Sequence, residues 1–250
     1  MSRSGRGAWG DAPVSEPEGG GAAETWKAIF EEGLNAELTP RRAEQRRVAA
    51  VLRQVIERVV ATGAPTEVLS EIGHELERAA GALEGYPQGT LYEGFAEPAN
   101  APSPQAFFDH SPFMGAAHPI APPMELWPDG GRIVGRVRFG AAYEGPPGCV
   151  HGGFIAAIFD DLLGLTQSIG GRPGMTARLT VSYRAPTPLD TDLRLEGELE
   201  RVEGRKIFTV GRCFDGDVLT AEAEGLFISI RPERFASLQA AREAARRGAR

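Results

Sequence analysis

Cysteine is nearly missing from this chain: Cys149 and Cys213 are the two thiols among 250 residues, too few for a disulfide framework. Histidine is almost as sparse, and His74, His110 and His118 lie far apart, without the spacing of metal ligands. No metal site and no cofactor are therefore expected. No apolar run approaches the roughly 18 residues that would suggest a membrane span. Positive charge is in deficit, with 27 Lys and Arg against 34 Asp and Glu and a net charge of −7. That balance argues against a general nucleic-acid binder, though not against a local basic patch for a phosphorylated ligand. The opening MSRSGRGAWGDAPVSEPEGGG lacks the apolar centre of a signal peptide and reads as a disordered tail over 1–23. These absences leave a soluble, cytoplasmic globular protein as the expectation.

What is present divides the chain by pattern. Residues 24–84 contain two helical stretches, Pro40–Ala61 and Pro65–Leu83, joined by the breaker Thr62-Gly63-Ala64-Pro65. In the first, Val48, Val51, Leu52, Val55, Ile56 and Val59 recur at helical spacing with arginines between them. In the second, Thr66 is a candidate N-cap, and Val68, Leu69, Ile72, Leu76 and Leu83 form the stripe. One stripe per helix predicts a helical hairpin that packs on something else. Residues 85–128 are rich in Pro, Gly and Ala and read as an irregular loop. Its Phe107, Phe108, Phe113 and Met114, with Met124 and Trp127, either cover a pocket or pin the loop to the core.

Periodicity changes at 129, where a domain reaching to 232 begins. Arg132–Phe139 alternates as a strand, and an apolar helix over Gly152–Ile169 follows. Thr176–Tyr183, Asp192–Glu200, Lys206–Cys213 and Leu219–Ile230 are strand-like, with Asp215-Gly216-Asp217 a strong hairpin signal. A helix apolar on nearly all sides must be wrapped, and a curved antiparallel sheet does this. The class is α+β. The last segment, 233–250, reads as an Ala/Arg-rich amphipathic helix.

The chemistry concentrates in EGPPGCVHGGFIAAIFDDLLGL, residues 144–165. From Phe154 to Leu165 the only charges are Asp160 and Asp161. A charge in an apolar helix costs several kcal/mol unless it is paired or serves a purpose. The helix start at His151-Gly152-Gly153 offers unpaired N–H groups and partial positive charge, suited to a developing oxyanion. Together they suggest acyl transfer. The two acids are adjacent and point about 100° apart, so they cannot share one role. His151 either helps orient the loop or the reacting acyl group, or fixes the turn through a structural hydrogen bond. Cys149 lies two residues from His151, but adjacency in a Pro/Gly loop does not make a nucleophile pair. Cys213 reads as core.

EGPPG at Glu144–Gly148, His151-Gly152-Gly153, an acid nine residues after the histidine (Asp160), and MTARLTVSYRAPTPL at Met175–Leu189 carry a resemblance. Over roughly 105–232 the chain resembles the hotdog-fold acyl-CoA thioesterases of the phenylacetyl-CoA thioesterase-like group, which includes the mammalian fatty-acyl-CoA thioesterases. The resemblance implies an antiparallel sheet wrapped around a central helix, here with an N-terminal helical extension, and hydrolysis of acyl-CoA to free acid and coenzyme A. It implies Asp160 as nucleophile or general base, Gly152 N–H as donor to the thioester carbonyl, and Thr176 as the group positioning the acid or water. His151 completes that set, Asp161 reads as a supporting or interface acid, and Gly153 and Phe154 would contact substrate. An asparagine or glutamine acting before the histidine in some members has no counterpart in Glu144-Gly145-Pro146-Pro147. Arg178 and Arg184, with Arg172, are candidates for the phosphates of coenzyme A.

Spacing adds an independent argument. Gly152 and Asp160 are separated by about 12 Å of helix axis, yet groups acting on one carbonyl must each approach within about 3 Å of reacting atoms. The site therefore calls for Gly152 of one chain and Asp160 of another, which predicts an obligate homodimer. Whether dimers pair into tetramers stays open. Two other readings compete. An enoyl-CoA hydratase of the same fold would call for an Asp/His pair near a helix start. A non-catalytic acyl-CoA or lipid-binding module needs the same pocket.

Overall fold

The computed structural model describes residues 38–86, 109–122, 124–170 and 174–229. The tail, Phe107, Phe108, Arg172 and the expected helix over 233–250 lie outside the described residues.

Helix α1, Pro40–Ala61, starts as its sequence dictates. Thr39 accepts a hydrogen bond from Arg42 N–H at 3.3 Å, and Pro40 occupies the first turn, where a missing N–H costs nothing. Helix α2, Thr66–Glu84, is capped at Pro65 without a side-chain bond, so Thr66 lies inside the helix. None of α2 is buried, and Val68, Leu69, Ile72 and Leu76 face outward. The arginines and a glutamate of α1, more than its valines, attach it to the rest of the molecule. Arg42 and Arg46 each place Nε 2.6 Å from the buried carboxylate of Asp109. Arg53 donates to the carbonyls of Ala116 and His118 at 3.2 and 2.9 Å. Glu57 accepts from the N–H groups of Ala141 and Ala142. Charged groups bonded to several backbone atoms fix orientation, which a smooth apolar stripe does not.

Among the described residues six strands form one antiparallel sheet: β1 Met124–Asp129, β2 Arg132–Val137, β3 Gly174–Tyr183, β4 Leu193–Glu203, β5 Lys206–Asp215 and β6 Val218–Ser229, in the order β1-β2-β4-β5-β6-β3. Strand β1 falls within the stretch read as irregular loop, so the sheet begins before 129. Its signal was present: Gly130 and Gly131 have φ of 57° and 86°, the two left-handed residues of a tight hairpin. Pro128 hid it, since proline argues against a strand; here β1 is a sheet edge, where the missing N–H is tolerated.

Helix α3, Gly152–Ser168, lies against the sheet with Ile158, Phe159, Leu162, Leu163 and Leu165 fully buried. It approaches closely because the crossing strands carry glycine there. A Cβ on Gly197 of β4 would land on Thr166 Oγ1, and one on Gly211 of β5 would sit 3.0 Å from Phe159 Cδ1. Phe139, Ile133, Leu195, Ile207 and Phe227 complete the core. Met114 and Met124 belong to it, Met114 pinning the segment before the sheet and Met124 opening β1, while Trp127 remains exposed.

Candidate active site

The loop before α3 is rigid for local reasons. Gly148 at φ 74° turns the chain, and its N–H donates to Glu144 Oε1 at 2.7 Å. Gly145 N–H reaches the carbonyl of Cys149 at 2.9 Å, closing the EGPPG turn on itself. Glu144, found where an amide is absent, therefore holds this turn. The chain then enters the helix at His151, whose Nδ1 accepts from Gly153 N–H at 3.0 Å. The His151 carbonyl accepts from Phe154 N–H at 2.9 Å. The next peptide is held from outside, where Tyr183 Oη donates to the Gly152 carbonyl at 2.8 Å. These bonds fix the peptides on both sides of Gly152, and among the described residues none accepts from the Gly152 N–H. A pinned, unshared N–H at the positive end of a 17-residue helix is the kind of donor an oxyanion requires.

Two turns further along α3 the adjacent acids part company. Asp160 Oδ1 accepts from Thr176 Oγ1 at 2.9 Å, and both residues are exposed on the single chain. Asp161 accepts from Ser111 Oγ instead. Thr176 reaches Asp160 from β3, beside an irregularity in the β3–β6 register between Thr176 and Arg178. One carboxylate thus lies open with one oxygen held and the other free of that bond. Its neighbour is tied to the segment preceding the sheet.

The remaining expected residues are distributed around this frame. Phe154 packs edge-on against Tyr143, with ring centres 4.9 Å apart. Arg178 is exposed on β3, with no ion-pair partner among the described residues. Arg184 is engaged with Glu222, its Nε 3.0 Å from Oε1. Cys213 is fully buried, and burial pushes its thiol up to about 11, removing it from thiolate chemistry. With His151 Nδ1 given to Gly153, that nitrogen is not available as a base for Cys149. Among the described residues no group of three His, Cys, Asp or Glu side chains could hold a metal, and no helix is long and apolar enough to cross a membrane. Sequence reasoning missed Tyr183 and Ser111. Tyr183 stands within the quoted TVSYRAP segment, whereas Ser111 is 50 residues from its partner and left no local sign.

An antiparallel sheet packed on one helix, with a glycine donor at the helix start and an acid within it, defines the hotdog class. The chain belongs to the thioesterase superfamily. The model of that superfamily matches residues 147–222. A solved thioesterase superfamily protein is 34% identical, superposes with a TM-score of 0.67, and aligns over 74% of this chain and 94% of its own. Acyl-coenzyme A thioesterase THEM4 of Xenopus laevis is 40% identical over 103 residues, 40% of this chain and 46% of the relative. The Mus musculus THEM4 is 38% identical over 105 residues, 41% of this chain and 45% of the relative. The chain thus spans about half the length of the curated relatives it matches.

Proposed function

We propose that this protein hydrolyses acyl-CoA thioesters to free acid and coenzyme A, at sites shared between two copies of the chain. The observation that carries this is the open Thr176–Asp160 pair on the same helix as the unshared Gly152 N–H. The helix is unbroken between them, so about 12 Å of axis separates the two groups. One thioester cannot bridge that gap, and a second copy brings Asp160 of the partner subunit to the Gly152 of this one. Strand β3 favours the pairing: it is a sheet edge ten residues long, and such an edge is normally covered.

The thioester carbonyl accepts from Gly152 N–H, which with the helix dipole stabilises the negative charge that forms on oxygen. Thr176 holds one carboxylate oxygen of Asp160 and leaves the other to act. As general base that oxygen takes a proton from water, and hydroxide adds to the carbonyl carbon. The tetrahedral intermediate collapses, the C–S bond breaks, and coenzyme A leaves as the thiol with the proton that Asp160 had taken from water. As nucleophile the same oxygen adds to the carbonyl carbon, the C–S bond breaks and coenzyme A leaves as thiolate, which takes a proton from water; water then cleaves the mixed anhydride to the free acid and restores the carboxylate. Arg178 is the better placed arginine for a coenzyme A phosphate, because Arg184 must first release Glu222.

Thiol release from acetyl- through palmitoyl-CoA and phenylacetyl-CoA tests the reading, with Asp160→Asn alongside. Turnover should fall between about 100- and 10,000-fold in the variant while the fold is kept. Near-normal turnover in Asp160→Asn would refute the assignment. No turnover on any substrate, with coenzyme A thioesters still bound, would leave a non-catalytic binding module.

A further inference from the structure

A cavity of about 610 Å³ lies between α1 and the start of α3, within the range of small-molecule sites. Ala50 and Ile56 of α1 form one wall, Ile120 another, and Tyr143 with Phe154 the third. Of the polar side chains on its boundary, Arg53, Glu57 and Tyr143 are occupied with backbone, while Gln54 lies beside them and Arg138 faces Asp190 at 3.9 Å on the exposed side. Arg53 is bonded to the carbonyls of Ala116 and His118, and Glu57 to the N–H groups of Ala141 and Ala142. Burial lowers the Arg53 guanidinium and raises the Tyr143 phenol from their ordinary values, as expected where water is scarce. The volume left between these groups is faced mainly by apolar surface. Phe154 connects it to the site, because Phe154 follows Gly152 by two residues, about 3 Å of helix axis.

We propose that this cavity receives the aliphatic chain of the acyl group, and that α1, which lies outside the residues matched by the superfamily model, is the element that sets acyl-chain length. The inference rests on the thioesterase reading above. An acyl chain whose carbonyl is held at Gly152 N–H enters past Phe154 and runs under α1 with no hydrogen bond to satisfy. Ala50 and Ile56 limit how far it extends. The coenzyme A portion, being charged, stays on the exposed side with Arg178.

Tryptophan at either α1 position fills the cavity. In Ala50→Trp, the ratio of kcat/KM for palmitoyl-CoA to that for hexanoyl-CoA should fall by roughly tenfold or more. Ile56 is 37% exposed at the rim, so Ile56→Trp is accommodated without disturbing the core and should move the ratio the same way. Binding of the fluorescent fatty acid cis-parinaric acid gives a second readout, and both variants should weaken it. An unchanged ratio together with unchanged fatty-acid binding overturns the proposal. A wild-type protein that hydrolyses no thioester, yet binds cis-parinaric acid and loses it in both variants, keeps the cavity assignment and sinks the thioesterase reading instead.

Discussion

Asp160 and Asp161 show how adjacent carboxylates on one helix acquire separate surroundings. They share a helix and a chemical type, yet one faces Thr176 and the other Ser111. Among the described residues the Thr176 hydroxyl is the one side-chain donor to Asp160, and a hydrogen bond to a charged group is worth about 1.5–3 kcal/mol. Thr176→Val keeps the shape and removes the donor, so kcat should drop about 10- to 100-fold with little change in stability. Steady-state kinetics and a melting curve check this; an unchanged kcat would show that the hydroxyl does not position the acid. The helix start at Gly152 and two adjacent acids were legible in the residues themselves, whereas the choice of Asp160 and of Thr176 came from the family resemblance. Tyr183 was not assigned, since its use depends on β3 passing the start of α3.

At the level of elements, α3 reads from its sequence as a buried helix. Its distance from the sheet is set elsewhere, by Gly197 and Gly211 in later strands of the chain. Gly197→Ala pushes a methyl group onto Thr166 Oγ1 and against Leu162, at 3.2 Å from Leu162 Cδ1. Overpacking of this kind costs about 1–3 kcal/mol, and calorimetry should record a melting temperature lower by several degrees. A neutral result would mean that α3 moves freely against β4. Helix α1 carries the opposite lesson. Its apolar spacing announced a helix correctly, but the arginines between the valines make the attachment, because their partners at Asp109, Ala116 and His118 are far away in sequence. Strand β1 was concealed by Pro128 and revealed by Gly130-Gly131, so turn residues carried more information there than the strand itself.

For the whole molecule, two histidines beside the α1 attachment tie stability to pH. Burial lowers His118 from the ordinary histidine value, with the Arg53 charge adding to it, and burial likewise lowers His110. The folded chain therefore keeps both neutral where the unfolded chain is already taking up protons. This contribution is full above the ordinary value near 6.5 and is lost as pH falls through it toward the lower folded values. Melting temperature should decrease between about pH 7 and pH 5, and His118→Gln should flatten that decrease. A parallel profile in the variant would count against His118. Assembly is the second property at this scale. Light scattering should give a mass of two chains or a multiple of two, and an active monomer would sink the shared site.

From the sequence alone came the central helix, five of the six described strands, the antiparallel wrapping and the HGG helix start with two adjacent acids beyond it, between which the family resemblance chose Asp160. Periodicity, turn residues and short-range spacing are local, and local patterns survive in one dimension. Only the tertiary structure decided that α1 is held by half-buried arginine contacts and that α2 buries none of its stripe. It also decided that the two acids have separate partners and that a cavity opens between α1 and Phe154. Each of these depends on groups brought together from distant parts of the chain, and the energies that select them are summed over contacts that no single segment contains.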